Sequence, residues 1–286
     1  MRRARARLLA AALLAVMAGT GFAAGVAAQG IGLPNQSGNV PVEINAEQGI
    51  EWQQKAKAYI ARGNARAVQG EVAVHADTLT AYYREGPSGG TAIWRIDAVG
   101  SVRIVSPTQK AYGDKAVYDV ENGVLVLTGQ GVRLDTETDR ITARDSLEYW
   151  EKKNLAVARG NAIATRGVNK LRADVLTAHF VQNADGKSKV KQLDAFDNIV
   201  ITTPEEVVRS SRAVYDVETG IATLTGSVKI TRGENQLNGE RAVVNLNTGV
   251  SRLYGGGRQG VRGVFTPDKL QRPGENRGQP NAQGAQ

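Results

Sequence analysis

Cysteine is absent from all 286 residues, which excludes disulfide staples and thiolate metal sites. Histidine is nearly absent: His75 and His179 lie in different strand-like segments, and neither has an HxxxH or HExxH partner. Both read as surface or strand-end residues. No serine stands in a GxSxG elbow, and Gly255-Gly256-Gly257 precedes no strand-to-helix phosphate motif, so it reads as a bend. Trp52, Trp94 and Trp150 are too scattered to form a stacking platform. No basic run interleaves with aromatics, so nucleic acid is not an expected partner. Proline is scarce at 8 residues against 33 glycines, a balance that suits many short strands joined by tight turns.

Long apolar runs are lacking beyond the N-terminus. There, Arg2, Arg3, Arg5 and Arg7 precede an apolar stretch from Leu8 to Met17, and small residues end at Val26-Ala27-Ala28. This is the layout of a secretory signal peptide over 1–28, cleaved after about Ala28. An uncleaved anchor is the competing reading, but the apolar core is short beside the roughly 20 residues a span needs. The whole chain carries +8; four of its 36 basic residues and none of its 28 acids lie in 1–28, leaving a mature protein of +4. That charge mildly favours anionic partners; the plainer reading is a solvated surface.

From about Val42 to Tyr254 the chain alternates in twos and stops at Gly, Asn or Asp every several residues, the pattern of strands and hairpins. Tyr118 to Gly129 reads YDVENGVLVLTG and Tyr215 to Gly226 reads YDVETGIATLTG. Each is a strand, a turn whose glycine (Gly123, Gly220) takes positive φ, and a second strand. Ala61-Arg62-Gly63-Asn64-Ala65 likewise matches Ala158-Arg159-Gly160-Asn161-Ala162. Marker positions at Gly63, Gly100, Gly129, Gly160, Asn198, Gly226 and Gly255 give a period near thirty. Longer intervals hold turn-rich insertions at Glu85 to Thr91 and Gln182 to Ser188. Such a period means stacked supersecondary units.

Alternation sorts the faces. Around each marker, positions two and four away are mostly apolar, such as Leu125, Leu127, Leu224, Val228 and Ile230. Intervening positions carry Arg62, Arg66, Arg103 and Arg159. Val132 and Ile163 fall on the wet side by this count, and Ser146 and Glu148 on the dry one, which suggests a register slip in the fourth copy. Recurring acids, Asp114, Glu121, Asp174, Asp216 and Glu218, read as turn residues rather than a catalytic pair. The apolar face fits two architectures equally: a sealed β-solenoid or sandwich core, or two sheets left open as a slot for an apolar ligand.

The order of short motifs resembles the OstA-like domain of the LptA family of lipopolysaccharide transport proteins. Pro41-Val42-Glu43-Ile44-Asn45-Ala46 is similar to that family's opening strand. Ala61 to Tyr82, ARGNARAVQGEVAVHADTLTAY, follows its TGN, QG and AD order. Gly123 to Gly129 carries its VLTG hairpin, and Thr266-Pro267-Asp268-Lys269-Leu270-Gln271 is similar to its proline-marked end. The resemblance implies an all-β, antiparallel β-jellyroll (β-taco) of stacked hairpins over residues 41–271. Residues 29–40 would be a flexible segment and 272–286 a disordered tail. It further implies a periplasmic, non-enzymatic protein without cofactor, whose apolar slot shields lipid A acyl chains. Ligand-facing positions would be Val42, Ile44, Val102, Ile104, Tyr118 and Val120, extended by repeat logic to Leu125, Leu127, Tyr215, Val217, Leu224, Val228 and Ile230. Implied partners are lipopolysaccharide, LptC-like and LptD-like domains at the two membranes, and further copies stacked end to end. The chain is longer than common members, which points to extra hairpin units around Ile141 to Ile230.

Overall fold

A computed structural model describes residues 42–86, 90–182, 188–257 and 260–266. The expected signal peptide (1–28), the 29–40 segment, the proline-marked end from Pro267 and the 272–286 tail lie outside the described residues.

The first nine strands are β1 (Glu43–Asn45), β2 (Ile50–Gln53), β3 (Ala58–Gln69), β4 (Val72–Glu85), β5 (Thr91–Val105), β6 (Gln109–Asp119), β7 (Val124–Thr128), β8 (Val132–Thr136) and β9 (Arg140–Ala143). The rest are β10 (Ser146–Trp150), β11 (Leu155–Arg166), β12 (Asn169–Gln182), β13 (Ser188–Thr202), β14 (Val207–Asp216), β15 (Ile221–Arg232), β16 (Asn235–Asn245), β17 (Val250–Tyr254) and β18 (Arg262–Val264). They form one 18-stranded antiparallel sheet, a meander in which each long strand pairs with the strands before and after it.

Nearly every long strand bends near its middle. Register slips there, between Arg62 and Ala65 in β3, Val99 and Val102 in β5, Arg159 and Ala162 in β11, and Thr225 and Val228 in β15. The marker glycines are the cause. Gly63-Asn64, Gly160-Asn161 and Gly226-Ser227 place two consecutive residues at positive φ, which glycine and asparagine tolerate best and which turns a strand sharply. Stacked bends divide the meander into two facing walls. Wall one holds the segments with Tyr118, Leu127, Tyr215 and Leu224; wall two holds those with Ile44, Val102, Val132 and Val228.

Alternate residues of both walls meet inside. One buried cluster runs from Ala61 through Val102, Leu125, Leu127 and Val132 to Ala162, and a second from Leu171 through Ile199 and Leu224 to Val244, with Leu176 packed against both. Each fully buried Val, Leu or Ile contributes about 1.5–3 kcal/mol, so this interior is the main source of stability.

Above the thirty-residue period stands a longer one. Lys57 and Asn154, Gly63 and Gly160, Asn64 and Asn161, and Gly123 and Gly220 adopt matching positive-φ geometry, each pair 97 residues apart.

The expected faces are overturned at two places in the sheet. Val132 is fully buried, not on the wet side. Ser146 and Glu148 face outward, while Leu147 and Tyr149 take the inner positions. Both have one cause. From outward Thr128 to inward Val132 the bend spans one residue more than from Arg62 to Ala65, and from Ala143 to Leu147 one more than from Ala76 to Leu79. An added residue flips parity. The two additions fall on strands that pair with each other, β7–β8 with β9–β10, so the sheet continues unbroken.

Candidate functional site

The inner face is the candidate site, and bend geometry assembles it. Val102, Ile104, Tyr118, Leu125 and Leu127 are buried together in the first cluster, with Ile44 and Val120 half-buried against it. Tyr215, Leu224, Val228 and Ile230 are buried together in the second. Two expected residues stand apart. Val42 is exposed at the N-terminal edge, and Val217, one residue past the end of β14, is 38% exposed.

The N-terminal edge also presents an inner-face cluster that the spacing of tryptophans did not reveal. Ile50 and Trp52 pair with Ala61 and Tyr59 and so share their inward side, yet they are 55% and 58% exposed. Trp52 stacks on Tyr59 at 6.1 Å, Tyr59 meets Tyr83 at 5.0 Å, and Trp52 Nε1 donates to Tyr83 Oη at 2.8 Å. The interior thus opens at this edge as an aromatic mouth. The alternation of Ile50 and Trp52 in a four-residue strand was the signal for it.

Polar groups rim the interior. Tyr118 Oη donates to Glu151 Oε1 at 3.1 Å; burial first, then the adjacent Glu151 carboxylate, push the phenol's pKa up. Burial likewise raises the Glu151 carboxyl. At the free edge of wall two, Arg166 donates two 2.6 Å hydrogen bonds to the Asp139 carboxylate. It also feels Tyr215 of the opposite wall. Glu206 is 3% exposed, neither carboxylate oxygen has a hydrogen-bond partner among the described residues, and burial pushes its pKa up to about 7. It precedes inward Val208 by two residues and shares its side. His179 Nε2 lies 2.8 Å from Asp194 on the outer surface, and burial with Arg103 and Arg66 lowers the His75 pKa. A mostly apolar interior, with Ser210 inside it and the charged groups named here at its rim, is suited to sequestering hydrocarbon.

The sequence profile described as "LptA/(LptD N-terminal domain) LPS transport protein" matches twice, over residues 43–145 and 140–250. The two matches begin 97 residues apart, the same offset as the backbone repeat. An uncharacterized protein of Rhizobium meliloti (strain 1021) is 30% identical over 110 residues, covering 37% of this chain and 57% of that protein. The chain therefore matches little more than half the length of that relative. Among solved structures, LptH of Pseudomonas aeruginosa, titled the LptA homologous periplasmic component of the conserved lipopolysaccharide transport device, is 20% identical with a TM-score of 0.38. It covers 45% of this chain and 95% of its own. The sequence profile, which covers most of the described residues, is the decisive match: the chain belongs to the LptA/(LptD N-terminal domain) LPS transport protein family.

Proposed function

We propose that this protein is a periplasmic, non-enzymatic carrier that binds lipopolysaccharide and helps bridge the inner and outer membranes. Its lipid A acyl chains would lie between the two walls. The observation that carries this reading is the largely apolar inner face, supplied by both walls in two adjoining clusters and opening at the Ile50 and Trp52 mouth. Acyl burial stabilises a bound lipid by about 0.8 kcal/mol per CH₂, so partial insertion suffices to hold one. A lipid would enter by parting the walls, which are joined through the bends and, among the described residues, by no strand pairing across their free edges. Near-equivalent successive repeats would then let it advance. Exposed edges at β1–β2 and β17–β18 offer unpaired backbone groups for LptC-like and LptD-like domains or further copies.

The test is photocrosslinking from Tyr118, Leu127 and outward Arg103. Labelling of lipopolysaccharide from the first two alone supports the slot; equal labelling from all three rules it out. The second reading is a sealed β-solenoid scaffold without lipid, favoured by the burial of Leu127, Leu224 and Val228. Native mass spectrometry separates the two. Lipid-free protein in end-to-end fibres would favour the scaffold.

A further inference from the structure

A row of side chains on the outer surface of wall two differs from the similar basic row on wall one, Arg62 to Arg241, in leaving most of its cations without acidic or aromatic partners among the described residues. Directly paired outward positions link without a break from Asn45 on β1 to Arg262 on β18. The row includes Arg66, Arg103, Arg172, Arg209, Lys229 and Arg262, and no Asp or Glu. Because it crosses strands, it runs along the long axis of the array, and its cations mostly recur every second strand, about 10 Å apart.

These six cations are without salt bridges among the described residues. A further row member, Arg133, pairs with Asp135 at 3.0 Å. Two acids beside the row at the bend are engaged there: Asp114 accepts from the Gln130 N–H and Asp174 from Asn198 Nδ2. The contrast with wall one is direct. There Arg62 pairs with Glu51, Arg159 with Glu148, Arg212 lies over Phe196 and Arg241 over Tyr254. In wall two, Arg209 and Lys229 even stand directly opposite each other, an arrangement that costs stability. Folding alone gives no reason for it.

Two features choose the partner. Guanidinium groups dominate the row, and their forked donors suit carboxylate or phosphate oxygens. The row also follows a sheet whose neighbouring strands rotate by about 20–25°, so a flat bilayer meets only a few of its cations, whereas an extended chain can follow all of them. We propose that this row binds an extended acidic glycan, bearing carboxylates or phosphates, laid along the outside of wall two. The preference for a glycan over nucleic acid rests on the export signal expected at the N-terminus. The site itself is independent of any cargo between the walls.

The experiment uses the mature chain and fluorescein-labelled polygalacturonate in low salt, with charge-matched single-stranded DNA and phosphatidylglycerol vesicles as competing probes. One variant carries Arg66→Gln, Arg103→Gln, Arg172→Gln and Arg209→Gln. A control of equal charge loss carries Arg62→Gln, Arg159→Gln, Arg212→Gln and Arg241→Gln. The glycan should bind with an affinity that falls with salt, and the row variant should weaken it by about tenfold or more, the control much less. A version with lysine at the four row positions should retain binding, which guards against a folding artefact. Equal loss in both glutamine variants, no glycan binding, or tighter binding of DNA or vesicles would overturn the proposal. Lipopolysaccharide crosslinking from Leu127 in the row variant should be unchanged, so failure of this site and failure of the lipid slot are read separately.

Discussion

The Tyr118 hydroxyl donates to Glu151 across 33 residues of sequence, tying β6 to the 3₁₀ turn Glu151–Lys153 that precedes β11. The two groups are partly desolvated together, so each depends on the other for its hydrogen bond. Tyr118→Phe leaves Glu151 without this donor and should cost about 1–2 kcal/mol. Glu151→Gln keeps an acceptor and should cost less. Urea denaturation of both variants measures the difference; equal stability of Tyr118→Phe and the parent would show that the bond contributes nothing.

Glu206 makes stability depend on pH in a stated direction. Burial raises its folded-state pKa from an ordinary 4.5 to about 7. Below 4.5 it is protonated in both states and no penalty applies. Between about 4.5 and 7 the unfolded chain ionises while the folded one stays neutral, so stability falls as pH rises; above 7 the loss is complete. The shift corresponds to roughly 3 kcal/mol. Glu206→Gln should flatten this part of the stability profile and be the more stable protein at pH 8. Parallel profiles for parent and variant between pH 4 and 8 would refute the assignment.

Gly129 tests the bend. Its φ is +137°, and a Cβ there would stand 2.5 Å from the Asp114 backbone nitrogen. That neighbour is held by the strand and by the Asp114–Gln130 hydrogen bond. Gly70 also has positive φ (+59°), but among the described residues nothing lies within 4 Å of its Cβ position. Gly70→Ala should therefore cost about 1–2 kcal/mol from backbone strain alone, and Gly129→Ala distinctly more. Thermal melts of the pair check the ordering; equal losses would mean that the bend relaxes freely.

These bends also explain what could be read from the residues. Period-two alternation located Val102, Ile104, Leu125, Leu127, Leu224 and Val228 on the inner face, because most bends use the same number of residues and preserve parity. Val132, Ser146 and Glu148 were misplaced where the bend gains one residue, since a count from glycine markers carries no information on how many residues the bend consumes. Val217 was placed by analogy with Val120; both lie one residue past the end of their strands, but Val120 packs against the first cluster while Val217 is left exposed. The aromatic mouth was missed for another reason. Trp52, Tyr59 and Tyr83 are separated along the chain and meet only through pairing of β2, β3 and β4. Nothing in the alternation sets Glu206 apart from other acids; its burial exists only in the folded hairpin.

The longest-range prediction concerns the seam between the repeated halves. Leu147 is buried and lies directly between Leu127 of β7 and Ala158 of β11, so it couples the strands on either side. Stacked units of this kind melt together only while their interface is intact. All three tryptophans, Trp52, Trp94 and Trp150, precede the second buried cluster, which begins at Leu171. Tryptophan fluorescence therefore reports the first cluster, while far-UV circular dichroism reports both. The parent should show coincident denaturant transitions by the two probes. Leu147→Asp places a carboxylate in the first cluster at a cost of several kcal/mol. Its fluorescence transition should move to lower denaturant while part of the circular dichroism persists to a midpoint near the parent's. Leu224→Ala should reverse the order, weakening the tryptophan-free cluster by about 2–5 kcal/mol. If both probes shift together in both variants, the array unfolds as one cooperative unit and the 97-residue repeat has no energetic boundary.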